Sequence, residues 1–253
     1  MKQLRWLTQA LFTNGPGRYL SIDLVDDGKA DARLTQVLAK YGLADSQVEA
    51  FGTGLINDTY LVTVGIDQQF VLQRLNPLFT PEINHDIDAL TLHLAVKGAV
   101  TQRLIPADNG KLWVEDEGYA WRMATFMPGV CLDMLETEAQ AAAAGDLLAR
   151  FHRDVRDLKL ELHSKRLGVH DTPYHLQELR TSLVEHSDHR NFREIEVLAQ
   201  EIFAQAEQLP ELPLLIDRLV HGDLKISNLV FDASSGNGIC MIDLDTLAYM
   251  PLP

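Results

Sequence analysis

Cysteine is nearly missing from this chain: Cys131 and Cys240 are the two it has, and they lie too far apart for a zinc knuckle or a CxxC redox pair. Both read as small core residues of a reducing compartment. Positive charge is scarce as well. Lysine and arginine total 22 against 36 acidic residues, a formal net charge of −14, and a surface of that sign repels a polyphosphate backbone. Nucleic acid is therefore excluded as a main partner, while a cationic small substrate would be tolerated. Long hydrophobic runs are absent too: no stretch reaches the ~20 apolar residues of a membrane span. The apolar residues after Lys2 and Arg5 are broken by Thr8, Gln9, Thr13 and Asn14, which leaves no signal-peptide core. A cytoplasmic protein without a membrane partner is expected. What the chain does have is core material. It is 46% hydrophobic, enough for one domain or two closely packed lobes.

Punctuation divides the chain. Asn14-Gly15-Pro16-Gly17 and Asp26-Asp27-Gly28 mark residues 1–30 as an irregular arm. A helix from Asp31 carries Leu34, Val37, Leu38 and Tyr41 at helical spacing and stops at Gly42. Strands follow over 48–51, 59–64 and 69–74, the last ended by Asn76-Pro77. A helix over 81–97 places Ile83, Ile87, Leu90 and Leu94 on one face before Gly98. Strands over 111–115 and 119–126 complete a sheet-rich half, residues 31–127. Past Pro128-Gly129 the chain turns mostly helical, over 138–155, 174–186 and 192–208, with Ala142, Leu147, Leu148 and Phe151 as the buried stripe of the first. Short strands at 219–220, 229–231 and 239–242 belong to this second half, residues 128–253.

The strongest chemical signal is His221-Gly222-Asp223-Leu224-Lys225-Ile226-Ser227-Asn228, followed by an apolar hairpin and then Met241-Ile242-Asp243. Phosphoryl transfer needs a carboxylate beside the attacking hydroxyl and oxygen ligands that hold magnesium on the nucleotide phosphates. Asp223 fits the first role, Asn228 and Asp243 the second. Taken singly, each of these residues more often stabilises a turn; their fixed order favours catalysis. His221 is expected to support the loop. ATP and Mg2+ are the implied cofactors, and a nucleotide and a small-molecule hydroxyl acceptor the implied partners.

A second signal is the turn Phe51-Gly52-Thr53-Gly54-Leu55-Ile56-Asn57 between two strands, where Gly52, Gly54 and Asn57 would let backbone approach phosphate. Arg74, at the end of the third strand, is a candidate cation for the phosphates, braced by Glu82, Asp86 or Asp88; Lys225 is its rival. The run from Arg122 to Gly129 joins the two halves, and Thr125 and Met127 there could grip an adenine through backbone groups. Core packing accounts for those methionines equally well. His186, Asp188 and His189 lie close together but read as a solvated helix end, since no further metal ligand is placed beside them.

These ordered motifs resemble the aminoglycoside phosphotransferase and choline kinase superfamily, more closely its N-acetylhexosamine 1-kinase-like branch. Asn57-Asp58-Thr59-Tyr60 with Val71-Leu72-Gln73-Arg74-Leu75-Asn76, then Val169-His170-Asp171-Thr172-Pro173, then Ile242-Asp243-Leu244-Asp245-Thr246 carry the closer likeness. The resemblance implies an α+β, two-lobed protein-kinase-like fold, with an N-terminal antiparallel sheet lobe and a mainly helical, incomplete C-terminal lobe. It implies Asp223 as catalytic base and Asn228 and Asp243 as magnesium ligands, and it puts His170 and Asp171 near a sugar site. Members of the superfamily continue well beyond the second aspartate, so a C-terminally shortened chain is expected. The function implied is phosphorylation of a sugar or amino sugar. Alternatives are an aminoglycoside or other metabolite kinase, and a nucleotide-binding pseudokinase; a metal-dependent hydrolase built on His221, Asp223 and Asp243 is disfavoured for want of ligands.

Overall fold

The computed structural model describes residues 27–52, 56–164, 170–210 and 215–251. Gly54 and most of the N-terminal arm lie outside them. The first helix, α1, spans Asp27–Ala39 and so opens four residues ahead of the expected start. A six-stranded antiparallel sheet follows, from β1 (Gln47–Ala50), β2 (Asp58–Val64), β3 (Gln68–Arg74), β4 (Leu104–Ile105), β5 (Val114–Asp116) and β6 (Tyr119–Thr125). Its order is β1-β2-β3-β6-β4, with β5 also on β6.

Register sorts the side chains of this sheet, because successive residues of a strand point to opposite faces. Tyr60, Leu72 and Met123 are aligned across β2, β3 and β6, as are Asp58, Arg74 and Trp121. Val62, Leu72, Trp121 and Met123 share this face and pack on Val37 and Leu38 of α1 as one core cluster. The other face carries Gln73, Arg122 and Ala124 and turns toward α2 (Ile83–Val96). Ile83, Ile87, Leu90 and Leu94 of α2 join Ala124 in a second cluster that extends into the C-terminal half. The helix closes in a Schellman turn: Ala99 N–H donates to the Leu94 carbonyl and Gly98 N–H to that of Ala95.

The chain leaves the sheet after β6, and β7 (Val130–Cys131) already pairs with β9 (Leu229–Phe231), whose other neighbour is β10 (Gly238–Met241). Against this small sheet lies α3 (Glu138–Val155), opened by a capping box between Thr137 and Gln140. Its buried residues are Ala144, Leu147, Phe151 and Val155. Ala142, expected inside, is exposed, and Leu148 is at the margin; alanine tolerates either side, so its position in the pattern carried little information. Cys240 is buried as expected, but Cys131 is exposed on the edge strand β7. Helices α4 (Thr172–Glu185) and α5 (Phe192–Ala206) pack as a pair whose buried residues are Ala199 and Phe203, with Arg180 stacked over the Phe203 ring. Two more strands, β8 (Asp217–Val220) and β11 (Ala248–Pro251), pair beside the candidate site. Among the described residues no helix is long and apolar enough to cross a membrane.

Candidate active site

Strand β8 delivers His221, Gly222 and Asp223; a 3-10 turn over Ile226–Asn228 leads into β9; and Ile242 and Asp243 follow directly after β10. Hydrogen bonds knit these pieces together. Ile242 N–H donates to the Asn228 carbonyl at 2.9 Å, and Asn228 Nδ2 donates to the Asp223 carbonyl at 2.9 Å. His221, 2% exposed, donates from Nε2 to the Ile242 carbonyl at 2.8 Å. Its Nδ1 then accepts from Asp223 N–H. That pattern requires the neutral imidazole, and burial lowers the pKa of His221 in the same direction. Thr246 Oγ1 donates to the His221 carbonyl at 2.8 Å. Gly222 has a φ of +82°, and a Cβ there would sit 1.8 Å from the Thr246 carbonyl oxygen, so only glycine fits.

The carboxylates of this loop face outward. Lys225 Nζ lies 2.8 Å from Asp223 Oδ2 and 3.7 Å from Asp243 Oδ2, bridging the two acids. Asp223 Oδ1 has no hydrogen-bond partner among the described residues, and the Asn228 amide uses its nitrogen internally, which leaves its oxygen for a ligand. Asp243 takes a left-handed backbone, φ 64°, and its pKa is raised, first by burial and then by the nearby charge of Asp245. One cation between two acids leaves an excess negative charge. The Asp243 carboxylate and the Asn228 amide oxygen are hard oxygen donors of the kind that suit a magnesium-class ion, whereas among the described residues no group of three or more His, Cys, Asp or Glu is placed to hold a metal by itself.

The remaining candidates fall in three places. Asn57 is buried, donating to Asp245 Oδ2 at 2.7 Å and accepting from Asn76 N–H at 2.9 Å, so its amide serves the protein. Gly52 starts the turn beside it with φ +78°. Thr125 spends its hydroxyl, N–H and carbonyl on Arg103 and Gln102; Met127 has no hydrogen-bonded backbone group among the described residues. Phe51 and Phe126, neither flagged by the sequence, meet edge to face at 5.8 Å and form an apolar wall next to Met127. His170 donates from Nε2 to the Gly222 carbonyl at 2.6 Å, and Asp171 caps α4 by accepting from Tyr174 N–H.

Arg74 lies apart from the loop. It lies on the α1 face of the sheet, paired with Asp58 and stacked over Tyr119 at 4.7 Å. None of its expected braces reaches it: Glu82 precedes α2, Asp86 accepts from the 163 and 164 backbone, and Asp88 pairs with Arg103. The guanidinium on the opposite face, toward the loop, is Arg122. Its place between buried Trp121 and Met123 was the available signal, since alternation sends it the other way.

An antiparallel sheet set over a helical half, with an acid–amide–acid loop where they meet, is a kinase-like architecture. The sequence model of the phosphotransferase enzyme family, APH, matches residues 47–252, and the chain belongs to that family. In fold it is similar to an amicoumacin kinase solved with AMP-PNP, Ca2+ and Ami, at a TM-score of 0.61 and 16% identity over 89% of this chain and 68% of that one. A spectinomycin phosphotransferase in complex with ADP and spectinomycin gives 0.55 and 16%, over 87% and 70%. An aminoglycoside phosphotransferase from Alicyclobacillus acidocaldarius gives 0.57 and 15%, over 85% and 67%.

Proposed function

We propose that this protein uses ATP and magnesium to phosphorylate a hydroxyl of a small molecule, with a sugar or amino sugar as the acceptor class. The observation that carries the reading is the convergence of Asp223, Asn228 and Asp243 on one loop, with Lys225 bridging the two acids. Lys225 occupies Asp223 Oδ2, so Oδ1 takes the acceptor's proton. The freed oxygen bonds to the γ-phosphorus, the bond to the bridging oxygen breaks, and its electron pair leaves with ADP. Asn228 and Asp243 would hold magnesium, which when bound neutralises phosphate charge. Residues 31–127 serve nucleotide binding in this reading, with Gly52, Gly54 and the Met127 backbone beside the Phe51–Phe126 wall as its contacts; residues 128–253 carry the loop. His221 and His170 hold the loop, and Arg74 takes no part.

The amino-sugar class rests on the resemblance carried by the Asn57-to-Asn76, Val169-to-Pro173 and Ile242-to-Thr246 motifs. An aminoglycoside or other metabolite acceptor is the second reading, favoured by the net charge of −14, which suits a cationic substrate, and by the acceptors named for the structural relatives. ADP release from magnesium-ATP, measured over amino sugars, hexoses, aminoglycosides and choline against an acceptor-free blank, separates them. Release with amino sugars supports the first and release with aminoglycosides the second. Nucleotide binding without release from any acceptor would indicate a pseudokinase.

A further inference from the structure

Behind the catalytic loop lies a second polar cluster, to which the proposed chemistry gives no role. Asp245 is 1% exposed and Arg122 is 4% exposed. Arg122 Nη1 and Nη2 donate to Asp245 Oδ1 and Oδ2 at 2.5 and 2.9 Å, a two-point pair. The same guanidinium donates from Nε and Nη2 to Gln73 Oε1 and from Nη1 to Asn84 Oδ1. All five of its N–H groups are thereby used, and its charge is balanced by Asp245. Asn57 donates to Asp245 Oδ2 as well. Nothing in this cluster is left over for a ligand, so it is a joint and not a binding site.

What the joint connects gives it meaning. Gln73 is in β3, Arg122 in β6, Asn84 in α2, and Asn57 follows the glycine turn, whereas Asp245 sits two residues beyond Asp243. Among the described residues, other side-chain hydrogen bonds between 56–127 and 128–251 run from α2 and its flanks to residues 154–164, as with Thr80 to Ser164, His93 to the Asp154 carbonyl and Asp86 to His163. Those from the sheet and the glycine turn converge on Asp245.

We infer that Arg122 and Asp245 are positioning residues whose buried pair sets the nucleotide-binding sheet and glycine turn in register with Asp243. The inference rests on the kinase reading above. A nucleotide gripped at one end by the sheet reaches Asp243 through a metal only if the two surfaces keep a fixed offset. Losing the joint therefore weakens binding of the magnesium-nucleotide complex, and spares nucleotide without metal, which does not call on Asp243.

Dissociation constants for ATP with magnesium and with EDTA test this in the full chain, for wild type, Asp245→Asn, Arg122→Gln and the double variant, each checked for folding by circular dichroism. Each single variant is expected to weaken magnesium-ATP binding about tenfold, with metal-free binding within about twofold and the double variant no worse than either single. Should Asp245→Asn not fold, Arg122→Lys, which keeps the charge and loses the fork, carries the same comparison. Folded variants that bind magnesium-ATP like wild type, or that lose both forms equally, overturn the inference alone. Wild type that binds no nucleotide overturns the kinase reading, and the joint's role with it.

Discussion

Asp243 and Asp245 stand two residues apart on one loop and in opposite states. The first is half-exposed, shares one lysine with Asp223 and sits in a left-handed backbone. The second is sealed, with one arginine and one asparagine on its oxygens. The contrast lies in charge balance and access to solvent. Two acids and one cation facing water form a set that is completed by a further cation, whereas one acid and one cation closed off by amides form a set that is already complete. On the proposed reading, the open set does the chemistry and the closed set holds it in place.

The largest effect should come from the open set. Asp223→Asn removes the proton acceptor and should lower acceptor-dependent ADP release by about 10²- to 10⁴-fold, while nucleotide binding stays near wild type. Turnover unchanged by this substitution would move the base elsewhere. In the closed set the damage should be to stability. Arg122→Met leaves Asp245 buried without its cation, and breaking such a pair costs about 3–5 kcal/mol, to be read as a lower urea midpoint at unchanged slope. A variant as stable as wild type would show that water reaches Asp245 and that the two sets are alike after all.

The two sets also differed in how far the sequence revealed them. The open set is local: Asp223, Asn228 and Asp243 lie within a short stretch around one hairpin, and the apolar runs 229–231 and 239–242 announce that hairpin. The long strands of the first sheet and the helices α2 and α3 were legible for the same reason, each carrying several periods of its pattern. The closed set joins Arg122 to a partner 123 residues away, and spacing along the chain cannot encode that. Arg74 drew attention because it ends a strand, yet a strand end says nothing of which face a side chain takes; register with Trp121 decides that. Strands β4 and β7 have two residues each, too few to show any alternation.

Asp243 offers a smaller effect of unusual sign. Its folded pKa is raised, so the stability it contributes is fully present below the unfolded value of 3.8 and is lost as pH rises through the folded value. At neutral pH and without metal the ionised carboxylate therefore opposes folding. Asp243→Asn should raise Tm in EDTA by about 2–4 °C, the equivalent of about 1 kcal/mol in a chain of this size, and should weaken magnesium-dependent nucleotide binding. A lower Tm would mean that Asp243 is held by its neighbours as firmly as Asp245.

The smallest effect belongs to His221, which lies between the two sets. Burial lowers its pKa below the ordinary 6.5, so the unfolded chain takes up the proton first as pH falls. Its contribution is intact above 6.5 and is lost on descending through the folded value. Protonation would also place a second donor on Nδ1, opposite the Asp223 N–H that it now accepts. Urea midpoints measured from pH 8 to pH 5 should fall at the acid end in wild type and fall less in His221→Gln, where there is no proton to gain. Parallel curves for the two proteins would mean that the imidazole titrates alike folded and unfolded, and that water enters behind the catalytic loop.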